Sequence, residues 1–134
     1  MWFHYSVTVP AGTLNASPVK SELILSYGVI THLSVGFPPG CDQLVNVRLF
    51  HQEHQIFPAN SDNPACWSNG VEGGIEFYEL FDAPLSLIAR VSSPQAIYPH
   101  TITIFICVLP LEVAEPWAIQ TSILDKLKSL FGLS

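Results

Sequence analysis

Thr101–Leu109 reads TITIFICVL, and its period decides the fold. Ile102, Ile104, Ile106 and Val108 recur at every second position, the period of a β-strand rather than the 3.6 of a helix. The opposite face is apolar in part as well. A strand of this kind is expected in the middle of a sheet, covered on both sides. Cys107 then reads as a small core residue.

The same alternation extends outward through the chain. In FHYSVTV (residues 3–9), Phe3, Tyr5, Val7 and Val9 share a face, with His4, Ser6 and Thr8 on the other. VKSELILSY (19–27) groups Leu23, Leu25 and Tyr27, and VITHLSVGF (29–37) groups Leu33, Val35 and Phe37. LVNVRLFH (44–51) turns Val45, Val47 and Leu49 inward and Asn46 and Arg48 outward. IEFYELF (75–81) sets Ile75, Phe77 and Glu79 against Glu76, Tyr78 and Leu80. LSLIARV (85–91) aligns Leu85, Leu87, Ala89 and Val91. Pro and Gly clusters punctuate these runs. The reading is all-β: an antiparallel eight-stranded β-sandwich of jelly-roll type over residues 1–110, with the immunoglobulin-like sandwich as competitor. The latter lacks a Cys…Trp…Cys spacing in its support.

Residues 111–118 read as an extended, proline-punctuated linker, and 119–134 as a short amphipathic helix. There Ile123, Leu124, Leu127, Leu130 and Phe131 form an apolar stripe. Thr121 or Ser122 can cap its start, and Gly132 suits its end. A helix of about ten residues is too short to be stable in water by itself. It is therefore expected to dock, and a partner groove is the favoured place, with Trp117 beside it.

The bulk numbers narrow the function. The 134 residues suit one domain. Only 12% are charged, against about 25% in typical soluble domains. Either partners cover much of the surface or a neutral polar surface keeps it in solution. Net charge is −6, with five Lys and Arg in the chain, so direct nucleic-acid binding is not expected. No run approaches a membrane span of roughly 18 apolar residues. MWFHYSVTVPAG alternates as a strand does and does not resemble a signal peptide. Cys41, Cys66 and Cys107 offer neither a disulfide framework nor a CxxC metal pattern, which fits a reducing cytoplasm during synthesis.

Chemical candidates are few. FHQEHQI (50–56) brings His51 and His54 close if it is a hairpin with Gln52 and Glu53 at its tip, and opposed histidines can share a metal. A cupin-like centre would recruit His32 or His100, although the HxH pair of such sites is absent. Hydrogen-bonded or exposed histidines on a hairpin are the bland and favoured reading, so no metal and no cofactor are expected. No spacing supplies Cys41 or Cys66 with a catalytic histidine. Glu76 and Glu79 fall on opposite faces, which suits no glycosidase pair. Asp62 and Glu72 lack the DxDxDG pattern of a calcium loop. Asn15 opens a formal glycosylation sequon but reads as turn chemistry. Trp67, in the long 59–74 loop, can stack on a sugar or anchor a protein contact.

Four phrases also carry a resemblance: HYSVTVPAGTL (4–14), GVITHLSVGFPPGC (28–41), HQIFPAN (54–60) and YPHTITIFICVLP (98–110). Together they resemble small jelly-roll structural proteins encoded by phages and related viruses, over residues 3–110. That resemblance implies a virion component and not an enzyme, and transfers no functional residues. The expectation is a capsid, decoration or tail-associated subunit, assembled in the host cytoplasm from copies of itself or with another virion protein. A carbohydrate-binding module for host attachment through Trp67 is the alternative, and a cupin-like metal protein the third.

Overall fold

The computed structural model describes residues 1–59, 64–66, 70–114 and 130. Its strands are β1 (Trp2–Val9), β2 (Val19–Ile24), β3 (Gly28–Phe37), β4 (Asn46–His51), β5 (His54–Phe57), β6 (Gly70–Leu80), β7 (Ser86–Ser92) and β8 (His100–Leu109). They form two four-stranded antiparallel sheets, ordered β1-β8-β3-β6 and β2-β7-β4-β5. The pairing is nested. β4 pairs with β5, β3 with β6, β2 with β7 and β1 with β8, so each pair encloses the one before it in sequence. The fold is all-β and sandwich-like, with the inner faces of both sheets contributing to a single apolar core.

Register explains which residues enter that core. β8 lies between β1 and β3, setting Ile102, Ile104 and Ile106 against Val7, Tyr5 and Phe3 on one side. On its other side Ile104 and Ile106 meet Val35 and Leu33. The second sheet presents Leu23, Val47, Leu49, Leu87, Ala89 and Val91, all fully buried. Each buried aliphatic side chain contributes about 1.5–3 kcal/mol relative to exposure. The expected inward sets of β1, β4, β7 and β8 are those observed.

Five features depart from the reading of the sequence or were not part of it. Tyr27 is exposed, because β2 ends at Ile24 and the chain leaves the sheet before the alternation reaches it. In β3 the register shifts between Ile30 and His32. This bulge lets Ile30 and Leu33, three residues apart, both point inward. In β6 Tyr78 and Leu80 face the core, while Ile75 is 97% exposed and Phe77 44%. The outer face of β8 is not sealed by a second layer: Thr101 is exposed and Thr103 and Phe105 half-buried. Beyond β8, Leu111–Ala114 closes one helical turn, α1, where extended chain was expected. Val113 and Ala114 N–H both donate to the carbonyl of Pro110 at 3.0 Å.

Gly73 marks where β6 runs tight against β3. Its φ is +118°, and a Cβ there would lie 2.4 Å from the Leu33 carbonyl oxygen and 2.8 Å from Ser34 Cα. Both obstacles are backbone and cannot rotate away. Gly73→Ala is therefore expected to destabilise the fold by about 1–3 kcal/mol, read as a lower urea midpoint at unchanged slope.

Candidate functional site

The histidine hairpin forms as the sequence indicates. His51 and His54 are opposed across β4 and β5, and Gln52 turns the chain with φ +57°. The two rings have different fates. His54 is exposed, whereas His51 is buried on the inner face of its sheet. His51 Nε2 lies 3.2 Å from the Pro84 carbonyl, and Nδ1 lies 2.7 Å from the Tyr78 hydroxyl. A carbonyl only accepts, so Nε2–H donates to it, and in the neutral ring Nδ1 accepts from the Tyr78 O–H. The rings of His51 and Tyr78 also meet edge to face, with centroids 5.6 Å apart. Tyr78 belongs to the first sheet and His51 to the second, so this contact ties the sheets together. On β1, the Tyr5 hydroxyl donates to the Ile24 carbonyl at the end of β2, a second tie of the same kind.

Both nitrogens of His51 are thus engaged, and the other candidate ligands lie elsewhere. His32 and His100 are on the first sheet. His32 is on the outer face, edge-on to Trp2 at 5.0 Å and 3.2 Å from Ser34 Oγ. Among the described residues, no group of three or more His, Cys, Asp or Glu could hold a metal ion. Cys41 is buried, and burial pushes its thiol pKa up, away from nucleophilic thiolate. Glu76 is half-buried and Glu79 exposed, on opposite faces of β6 as expected. Asp62, Trp67, Trp117, Ile123, Leu124, Leu127 and Phe131 lie outside the described residues. Leu130 alone of the tail stripe is described, and it is exposed.

What the sequence did not single out is the outer face of the first sheet. Cross-strand register places Trp2, His4, Ser6 and Thr8 of β1 beside Cys107, Phe105, Thr103 and Thr101 of β8. His32, Ser34 and Gly36 of β3 continue the face, and β6 completes it with Val71, Ile75 and Phe77. His4 stacks on Phe105 with centroids 4.9 Å apart and planes 3° from parallel. Trp2, Val71 and Ile75 are 62%, 64% and 97% exposed. A shallow depression of about 280 Å³ opens between Gly36, Val71, Thr103 and Phe105. Glu79 supplies the only formal charge among these strand positions, at one end. The signal was present in the sequence: Trp2 and His4 alternate with the core set of β1, and Phe105 and Cys107 with that of β8. Only the register brings them together.

Two carboxylates of β6, Glu72 and Glu76, stand on the other pleat. Glu72 pairs with Val35, an inward position of β3. Its Oε2 is buried without a hydrogen bond among the described residues, and burial raises its pKa. Burial also raises the Tyr78 pKa, with the nearby Asp82 charge adding to the effect.

No family model matches the chain, and no curated protein matches it.

Two consequences can be measured. A raised folded-state pKa means that Glu72 favours folding below the ordinary carboxylate range, near pH 4, and that this contribution is lost as pH rises through the folded value. Glu72→Gln should therefore be more stable than wild type at pH 7, and the gain should vanish by about pH 4 in urea titrations. Tyr78→Phe leaves the buried Nδ1 of His51 without its donor, at an expected cost of about 1–3 kcal/mol in the same assay.

Proposed function

We propose that this chain is a non-enzymatic structural subunit of a virus particle, a jelly-roll sandwich that works by assembling with copies of itself or with another virion protein. The observation carrying this reading is the outer face of the first sheet. It is broad, nearly free of charge, and sets exposed Trp2, Val71, Ile75 and Phe77 around stacked His4 and Phe105. Contiguous exposed apolar surface of this kind marks contact sites rather than solvent-facing surface. Exposed Ile75 and Phe77 stand on β6, at the sheet edge, where strand addition from a neighbour is also available.

The nested pairing supports the jelly-roll assignment. An antiparallel hairpin of four pairs, folded over on itself, gives the orders β1-β8-β3-β6 and β2-β7-β4-β5. Jelly rolls serve capsids, lectins and cupins alike, so fold does not select among them. What supports the first of these is the surface, together with the engagement of both His51 nitrogens within the protein. The resemblance to phage-encoded jelly-roll proteins points the same way. The particle would be assembled in the host cytoplasm. In this reading the 119–134 tail, with Trp117 before it, is a second connector, docking Ile123, Leu124, Leu127, Leu130 and Phe131 in a partner groove.

Light-scattering mass of the purified chain tests the reading. The expected result is an assembly larger than a monomer. Ile75→Lys should dissociate it without changing the circular dichroism spectrum, and removal of residues 119–134 should weaken it. A monomer at all concentrations, unaffected by either change, would overturn it.

A further inference from the structure

The second sheet carries a different surface. Lys20, Arg48 and Arg90 are the lysines and arginines among the described residues, and all three stand in one cross-strand row. Lys20 is opposite Arg90 across β2 and β7, and Arg90 is opposite Arg48 across β7 and β4. Like charges placed directly opposite each other destabilise a sheet. The chain has 11 Asp and Glu with which such a row could have been interrupted. Arg90 pairs with Glu53 at 3.9 Å, and Glu53 is 97% exposed. Glu22 follows on the same face of β2 but is in register with Ile88.

The row lines a cavity of about 170 Å³, whose wall also includes Asn15, Asn46 and Ser92. These three are already organised among themselves. Asn15 Oδ1 accepts from the Ser92 hydroxyl at 2.5 Å and from Asn46 Nδ2 at 3.5 Å. That leaves the Asn15 amide nitrogen as a donor at the rim. Arg90 is held by Phe50, whose ring centroid lies 4.1 Å from the guanidinium carbon. Its Nε–H is buried and has no acceptor among the described residues. That donor is closed to the cavity, so contact with an oxyanion falls to the terminal N–H groups of a guanidinium held flat at the cavity wall.

We propose that this cavity binds a compact oxyanion: a carboxylate, sulfate or phosphate group. Its charge would offset the repulsion along Lys20, Arg90 and Arg48, and its oxygens would accept from Arg90 and Asn15. The row spans two interstrand spacings, about 10 Å. That suits one anionic group and not the repeating phosphates of a nucleic acid, and the other described residues include no lysine or arginine to extend the row. The inference uses the opposite sheet from the assembly face and stands apart from that reading.

The test uses the full chain, with inorganic phosphate and glucuronic acid as probes and sodium chloride at matched ionic strength as control. Saturable heats of binding in calorimetry are expected, with a melting temperature that rises with probe concentration beyond the chloride control. Lys20→Gln and Arg90→Gln should each weaken binding at least tenfold. Lys20 is exposed, so its variant keeps the fold and isolates the loss of charge. Tighter phosphate binding supports the proposal with a free tetrahedral ion as the source, and tighter glucuronate binding supports it with a sugar-borne carboxylate. Responses equal to those in chloride, or unaltered binding by Lys20→Gln and Arg90→Gln, would overturn it.

Discussion

The placement of β8 between β1 and β3 is the constraint on which the other features depend. It joins the two ends of the β region and fixes the register of the first sheet on both sides. Ile104 and Ile106 are then fully buried against Val35 and Leu33, and the opposite pleat brings Phe105 beneath His4. The core and the candidate contact face are thus two sides of the same strand. A one-residue slip of β8 would exchange them, exposing the isoleucines and burying threonines. The apolar side opposite is what makes that slip so unfavourable.

Much of this was legible from periodicity. β1, β4, β7 and β8 alternate cleanly, and their inward residues could be named from the sequence. β6 could not be read in that way. Ile75 and Phe77 are more apolar than Glu76 and Tyr78, so composition favours the wrong pleat. The structure turns Tyr78 inward, where its hydroxyl meets His51, and buries Leu80 behind it. The bulge in β3 also hides itself, because an inserted residue shifts phase without a compositional mark. The histidine hairpin was legible as a hairpin, but the burial of one ring and exposure of the other was not. Lys20, Arg48 and Arg90 are 28 and 42 residues apart along the chain, and only pairing across three strands makes them neighbours.

The two sheets therefore present opposite characters to their surroundings. The first offers a nearly uncharged, partly aromatic plane. The second gathers the described cations of an acidic protein at one point. Between them, polar ties from Tyr78 to His51 and from Tyr5 to Ile24 link strands of opposite sheets. Such contacts have direction, which apolar packing lacks. They hold the sheets at a set offset, so that the two outer surfaces keep a fixed relation to each other. No helix among the described residues is long and apolar enough to cross a membrane.

The nested order has a consequence for the chain as it leaves the ribosome. β1 and β3 are made early, but the strand that separates them is completed only when residue 109 has been added. Until then the first sheet lacks its middle, and the apolar faces of β1 and β3 have no strand between them. Pairings between distant parts of a chain form slowly, and unfilled strand positions invite foreign ones. A nascent chain of this design is thus open to strand exchange with its neighbours on the same polysome. Its own β8 must arrive before a neighbour's does.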